Sequence, residues 1–157
     1  MYTFEFKSFS EENTKEFAKK LARIAKLKDV FLLKGTLGMG KSTLARAFIQ
    51  ELANITEVPS PTFTLLQTYE TPDFDIYHFD LYRLKSAEEI FEIGMEDAIY
   101  GGVSLIEWPE KMERYIPKDV FAVNISGLGE DSRLFSITVS SNDKKQRLEA
   151  LKEVIYV

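Results

Sequence analysis

Eight consecutive residues of this sequence have the spacing of a loop that binds phosphate. Residues 35–42 read G-T-L-G-M-G-K-S and fit the pattern G-x-x-x-x-G-K-S. Because glycine tolerates positive φ and has no side chain, such a loop can wrap a polyphosphate with its backbone N–H groups pointing inward. Lys41 would then contact the β- and γ-phosphates, and the Ser42 hydroxyl would ligate Mg²⁺. The pattern predicts a nucleotide site; the competing interpretation is a glycine turn with a solvated Lys41.

Two carboxylates follow apolar segments at positions suited to a metal ion beside this loop. Residues 76–80 end in Asp80, and residues 103–107 end in Glu107. Phosphate loops need acidic help with Mg²⁺ and water, usually from the carboxyl end of a buried strand. Glu107 is the stronger candidate because the segment before it has the cleaner buried pattern. Each acid taken alone also fits a simpler interpretation, as a polar residue that ends a strand at a turn.

Residues 60–63, S-P-T-F, place a hydroxyl on a proline-stiffened loop. Thr62 lies about 20 residues after Lys41, where switch segments sense γ-phosphate and Mg²⁺. The alternative is that Thr62 simply starts a strand. Trp108 would usually be assigned to the core, but its place directly after Glu107 predicts a position beside the γ-phosphate.

Two further polar residues have less certain roles in the sequence. His78 shares a strand face with Asp80, and an isolated histidine with aromatic neighbours is more often a structural hydrogen-bonding residue. Arg83 fits a phosphate or partner contact and a solvated arginine equally well. These two residues stay outside the predicted site.

Strands and helices alternate around these residues. Residues 30–33 form an apolar run typical of a strand buried on both faces, and residues 42–53 follow as a helix. Other predicted strands are 2–7, 63–69, 74–82, 103–107, 121–125 and 134–139, with helices after Ser10, over 87–95 and at Leu148, Leu151 and Ile155. This order predicts an α/β fold, a three-layer P-loop NTPase-like domain with a central mixed β-sheet, as a single domain over residues 1–157.

Composition limits the chemistry that is available. The 157 residues include no cysteine and one histidine, which excludes disulfides, zinc–thiolate sites, cysteine nucleophiles and sites with two histidine ligands. The net charge of −5 lacks the basic field expected of a protein that binds nucleic acid alone. With no signal peptide and no apolar run of the ~18–20 residues needed to span a bilayer, a cytoplasmic protein without membrane contact is expected.

Four segments together resemble the TsaE family, also called YjeE. They are residues 35–42, S-P-T-F at 60–63, H-F-D-L-Y-R-L at 78–84 and E-W-P-E at 107–110, in the family's order and spacing. The resemblance runs from about residue 10 to residue 133. The phosphate loop is common to a superfamily, whereas H-x-D-L-Y-R-L followed by E-W is specific. The family is the bacterial ATPase required for tRNA threonylcarbamoyladenosine synthesis.

The resemblance implies a role for each matching residue. Serine at position 42 stands where many members have threonine, and Met39 where alanine is common. The implied catalytic residues are the phosphate lysine Lys41, the switch threonine Thr62, the essential acid Asp80, Glu107 near Mg²⁺ and the activity-linked Trp108. The implied metal ligands are Ser42, Thr62, Asp80 and Glu107. The implied nucleotide-binding residues are Glu11, Gly35, Thr36, Leu37, Gly38, Met39, Gly40, Lys41, Ser42, Thr43 and Arg133.

The resemblance also implies ATP and Mg²⁺ as cofactors and slow hydrolysis coupled to a complex of TsaD and TsaB homologues. In the family TsaD modifies the adenosine beside the anticodon, so tRNA is contacted through the complex. Two other hypotheses stay open. A small-molecule P-loop kinase is disfavoured because no arginine-rich lid follows Glu107; a nucleotide-dependent binding module would hydrolyse ATP incidentally. The missing N-K-x-D pattern disfavours a GTPase.

Overall fold

A computed structural model of the protein describes residues 1–35, 40–61 and 64–156, with side chains as far as Lys152. The strands in this part of the chain are β1 (Tyr2–Ser8), β2 (Val30–Lys34), β3 (Leu66–Glu70), β4 (Asp75–Asp80), β5 (Gly102–Glu107), β6 (Phe121–Gly127) and β7 (Arg133–Val139). The helices are α1 (Glu11–Arg23), α2 (Lys41–Ala53), α3 (Glu89–Glu92), α4 (Met95–Gly101) and α5 (Asn142–Tyr156), with a 3₁₀ helix at Pro109–Tyr115.

Within the described ranges, the strands form a seven-stranded mixed sheet in the order β1-β7-β6-β2-β5-β4-β3. The four central strands are parallel, and β3, β7 and β1 add antiparallel edges. Leu33 at the end of β2 pairs with Glu107, which pairs in turn with Asp80. The carboxyl ends of β2, β5 and β4 therefore lie together at one edge of the sheet.

Helices cover both faces of the sheet. Phe31 and Leu33 of β2 belong to a core with apolar side chains of α1, α2 and α5, whereas Val30 and Leu32 belong to a second core with α3, α4 and the 3₁₀ helix. In the first core Phe31 stacks on Phe121, with ring centroids 4.6 Å apart. Residues 30–33 of β2 are buried on both faces of the sheet, which explains why this part of the strand is apolar without interruption. The predicted three-layer α/β fold is confirmed.

Several elements differ from their sequence-based predictions. The strand predicted over residues 74–82 is β4 and ends at Asp80, and the 3₁₀ helix at Pro109–Tyr115 was not predicted. The helix predicted over residues 87–95 is the shorter α3, because the helical path ends at Gly94, whose φ of +77° suits glycine. The prediction missed α4, which begins directly after Gly94. The strand predicted from residue 63 begins at Leu66, because Leu65 has a φ of +67° and lies in a turn. Helices long and apolar enough to cross a bilayer do not occur in the described ranges.

A buried charge cluster attaches α5 to the edge of the sheet opposite the ends of β2, β4 and β5. Asp29, just before β2, accepts hydrogen bonds at 2.5 and 2.9 Å from the Arg147 guanidinium, and Lys144 lies 3.8 Å from it. Burial by itself would lower the pKa of Arg147, but the hydrogen bonds and charges of Asp29 and Asp143 raise it. The cluster keeps the guanidinium charged inside the protein.

We expect Asp29→Asn to lower the free energy of unfolding by about 1.5–3 kcal/mol, because it removes a charge-assisted hydrogen bond from a buried site. Urea denaturation followed by circular dichroism measures the change. The control is Glu149→Gln on the same helix, whose partner Lys145 is 4.0 Å away at the surface and whose loss should cost less than about 0.5 kcal/mol. Equal effects of the two substitutions would contradict the structural role of the cluster.

Candidate functional site

A cleft of about 390 Å³ opens at the edge where β2, β4 and β5 end. The described residues that line it belong to the start of α1, the start of α2, the ends of β4 and β5, and the β6–β7 connection. The predicted site residues that the structure brings together there are Glu11, Gly40, Lys41, Ser42, Thr43, Asp80, Glu107, Trp108 and Arg133. Residues that are distant in the sequence thus meet because parallel strands end at one edge.

The start of α2 presents a polar, positively polarised surface to the cleft. Gly40 precedes the helix with a φ of +97°, and no side chain of the described residues caps it. The N–H groups of the first helical turn have no partner within the helix, and the helix dipole adds positive potential there. Such a helix start is a favourable place for a phosphate group.

Lys41 projects from this helix start and is buried in the cleft. Its ammonium donates a hydrogen bond of 2.7 Å to the Gly35 carbonyl and lies 3.6 Å from the centroid of the Trp108 ring. Burial lowers the pKa of Lys41, while the nearby charges of Glu107, Glu110 and Asp80 oppose that effect. The cation is thus held between an aromatic face, a carbonyl and the acids at the strand ends.

Gly35 is the first residue after β2, where the chain turns toward the helix. Its φ is +154°, and a Cβ added to it would lie 2.8 Å from the carbonyl oxygen of Ile125. Both the conformation and the close backbone approach require glycine. The glycine predicted at the start of the phosphate loop therefore has a steric reason.

We expect Gly35→Ala to destabilise the protein by about 1–3 kcal/mol, since the added carbon strains the backbone at this position. Thermal denaturation measures the change. Gly129→Ala is the matched control, because an added Cβ there meets no atom within 4 Å. If the two variants melt at the same temperature, the steric requirement at Gly35 does not hold.

Asp80 and Glu107 stand side by side at the ends of β4 and β5. They are paired in register, and both are largely buried. The Tyr82 N–H donates to Asp80 Oδ1 at 3.1 Å, and His78 Nε2 lies 2.6 Å from Glu107 Oε2. Asp80 thus has a backbone hydrogen-bond partner, and Glu107 has a side-chain partner.

The oxygen atoms at the cleft suit a hard cation that shares its coordination with a ligand. Among the described residues, no group of three or more acidic, histidine or cysteine side chains can hold a metal ion by itself. Mg²⁺ is typically bound by one or two carboxylates together with substrate phosphates and water. Ser42, Asp80 and Glu107 all line the cleft and fit this chemistry.

Trp108 covers the inner side of the cleft. Its backbone has a φ of +59°, an uncommon conformation for an aromatic residue and of the kind found at functional sites. Its ring contacts Lys41 on one side and Tyr82 on the other, with the two aromatic centroids 5.0 Å apart. This conformation turns the ring toward the ammonium.

Part of the predicted site falls outside the described residues. This part consists of Thr36, Leu37, Gly38, Met39 and Thr62. Arg83 is exposed in the turn after β4 and is absent from the described lining of the cleft.

Three residues that line the cleft were not predicted as site residues from the sequence. They are Ser10, Thr14 and Asp131. Ser10 precedes the first predicted helix, and its hydroxyl caps α1 by accepting the Asn13 N–H at 3.0 Å. Asp131 lies in the turn between β6 and β7, where an acid carries no sequence signal of a site.

Fold and cleft together define an α/β protein of the P-loop class, with a parallel strand leading to a helix start that carries lysine and serine. Residues 8–135 match the family model described as threonylcarbamoyl adenosine biosynthesis protein TsaE. The chain therefore belongs to the TsaE family, as the sequence motifs predicted.

Individual relatives agree with this assignment. The tRNA threonylcarbamoyladenosine biosynthesis protein TsaE of Rickettsia bellii is 49% identical over 130 residues, which cover 82% of this chain and 90% of the relative. The protein of the same name from Bacillus subtilis is 33% identical over 152 residues, covering 96% and 95%. The crystal structure of Bacillus subtilis YdiB superposes with a TM-score of 0.82 at 30% identity, covering 97% of this chain and 95% of YdiB.

Proposed function

We propose that this protein is a Mg²⁺-dependent ATPase that supports threonylcarbamoyladenosine modification of tRNA. The observation that carries the proposal is the cleft itself, where Lys41 and the uncapped start of α2 face Asp80 and Glu107. A positive helix start and ammonium suit a polyphosphate, and two carboxylates beside a serine hydroxyl suit its metal ion. Membership in the TsaE family supports the place in tRNA modification.

In this proposal the phosphates of ATP bind at the start of α2. The ammonium of Lys41 leaves the Gly35 carbonyl and the Trp108 ring to contact the β- and γ-phosphates. Ser42, Asp80 and Glu107 are the residues that would hold the Mg²⁺ of bound ATP, and the ion would neutralise charge on the phosphates. Glu11 and Arg133 line the outer walls of the cleft, where the rest of the nucleotide would lie.

Hydrolysis requires a water molecule to attack the γ-phosphorus while the bond to the β–γ bridging oxygen breaks. Glu107 is the residue that would orient this water or hold the metal, since it is buried at the strand end close enough to influence Lys41. Thr62 is proposed to sense the γ-phosphate from its sequence position alone. ADP and inorganic phosphate are the products, and the reaction is proposed to be slow without a partner.

The proposed partner is a complex of TsaD and TsaB homologues in the cytoplasm. TsaD would modify the adenosine next to the anticodon, and this chain would act on the complex as a single domain. The net charge of −5 supports a protein that reaches tRNA through partners. ATP hydrolysis would allow the complex to modify one tRNA after another.

Two binding measurements test the proposal. Isothermal titration should show ATP binding that strengthens with Mg²⁺, and immobilised TsaB–TsaD should retain this protein to a different extent with and without ATP. Bovine serum albumin, which is also acidic, replaces this protein in the control for charge-driven retention. Absence of ATP binding would overturn the assigned activity; ATP binding without retention by the complex would overturn the assigned partner.

A further inference from the structure

We propose that His78 is a positioning residue that holds the Glu107 carboxylate in place for the Mg²⁺ of bound ATP. The inference deepens the proposed function and rests on it. The sequence alone favours a structural hydrogen-bonding role for His78. The contacts of its two ring nitrogens decide between these roles.

One ring nitrogen of His78 contacts the Glu107 carboxylate at the cleft. His78 Nε2 lies 2.6 Å from Glu107 Oε2, and the two side chains are 2% and 5% exposed. The other nitrogen, Nδ1, is buried and has no hydrogen-bond partner among the described residues. A histidine kept for structure alone is expected to satisfy both nitrogens, because an unpaired buried polar atom is costly. Among the described residues, the partner of the His78 ring is therefore the Glu107 carboxylate at the cleft.

The strand register explains why His78 reaches Glu107 and stays clear of the nucleotide. Asp80 pairs with Glu107 across β4 and β5, and His78 pairs with Leu105. Side chains two residues apart share a face, so His78 is the diagonal neighbour of Glu107, one pleat deeper in the sheet. Leu105 belongs to the core beneath α2. His78 therefore supports Glu107 from the core side, while the cleft is lined by Glu107 itself.

The hydrogen-bond partners described for the two acids at the cleft are of different kinds. Asp80 accepts a backbone N–H from Tyr82, which a side-chain substitution elsewhere leaves in place. Glu107 depends on the side chain of His78. The contact of Oε2 with the imidazole restricts the direction of the carboxylate, and Oε1 would be the oxygen left for Mg²⁺. Removing such supporting hydrogen bonds typically costs 10- to 100-fold in metal affinity or activity.

Two substitutions of His78 that introduce the same amide group on side chains of different length test this role. The amide nitrogen of Gln is as many bonds from Cα as Nε2 of histidine, whereas the amide nitrogen of Asn reaches only as far as Nδ1. His78→Gln should therefore keep the contact with Glu107, and His78→Asn should lose it. Both variants introduce an amide of the same polarity, so a loss specific to Asn reports on reach.

The readout is the magnesium gain, defined as the Kd of adenylyl-imidodiphosphate in EDTA divided by its Kd in Mg²⁺. Isothermal titration measures both values without requiring hydrolysis. We expect His78→Asn to lower the gain by about 10-fold or more and His78→Gln to restore most of it. Affinity in EDTA should stay within about twofold, and KM for ATP should change less than kcat. Combining His78→Asn with Glu107→Gln should lower the gain no further than Glu107→Gln alone.

The outcomes separate this inference from the proposed function. A wild-type protein that gains nothing from Mg²⁺ would overturn the proposed function and the inference with it. A wild-type gain that His78→Asn preserves, or that His78→Gln loses to the same extent, would overturn the inference alone. An equal loss of affinity in EDTA and in Mg²⁺, accompanied by a lower melting temperature, would show a purely structural histidine.

Discussion

Replacing Lys41 by alanine is expected to weaken ATP binding by about 100-fold or more. The Lys41 side chain is buried at the start of α2. Among the described residues that line the cleft, it is the one lysine available to a phosphate group. Truncating one partner of a buried, hydrogen-bonded charge pair costs on the order of 2–5 kcal/mol. The alanine variant also loses the contacts with the Gly35 carbonyl and the Trp108 ring, so its fold must be checked separately.

Titration calorimetry with adenylyl-imidodiphosphate measures the loss, and circular dichroism checks the fold. The only tryptophan of the chain is Trp108, so tryptophan fluorescence provides a second signal from the cleft itself. Lys118→Ala is the matched control, because Lys118 is exposed just before β6, at the opposite edge of the sheet. ATP affinity that survives in a folded Lys41→Ala variant would place the nucleotide elsewhere.

Replacing Glu107 by glutamine is expected to lower kcat for ATP hydrolysis by about 10²–10⁴-fold, the usual range for a group that assists proton transfer. The substitution keeps the shape of the side chain and removes the charge. Nucleotide affinity measured in EDTA should stay within about twofold, since the phosphates bind at Lys41 and the start of α2. The variant therefore separates binding from hydrolysis.

Phosphate release measured under saturating ATP tests this separation. Glu110→Gln is the control, because Glu110 also acts on the charge of Lys41 but is exposed outside the described lining of the cleft. Its kcat should remain within about twofold of wild type. Hydrolysis at the wild-type rate in Glu107→Gln would remove Glu107 from the proposed chemistry and leave Asp80 as the acid to test.

Local sequence signals were sufficient for the framework of the site. The apolar run at residues 30–33, Gly35 after it and the helix from Lys41 are determined largely by neighbouring residues in the sequence. The strands that contain Asp80 and Glu107 were predicted the same way, although the first was predicted to continue to residue 82, and parallel order brings their ends together. The placement of these acids beside Lys41 therefore followed from the prediction of buried strands.

Features that depend on register or distant pairing were missed. The contact between His78 and Glu107 requires the register in which Asp80 pairs with Glu107, so that His78 is the diagonal neighbour of Glu107, and neither segment encodes this register by itself. Asp29 and Arg147 are 118 positions apart, and their pairing depends on how α5 packs. The residue pattern around Gly94 predicted one helix up to residue 95. It did not reveal that Gly94 adopts a positive φ, which ends one helical path before α4 begins.

The central claim is that ATP hydrolysis in this cleft drives repeated tRNA modification. Its most direct test counts threonylcarbamoyladenosine formed per TsaD molecule in a reaction with TsaB, TsaD, substrate tRNA and a threonylcarbamoyl donor. Wild-type protein should support many cycles, whereas Glu107→Gln, which still binds nucleotide, should stop near a single cycle. Full modification by a variant that no longer hydrolyses ATP would contradict the claim and indicate a nucleotide-dependent binding module.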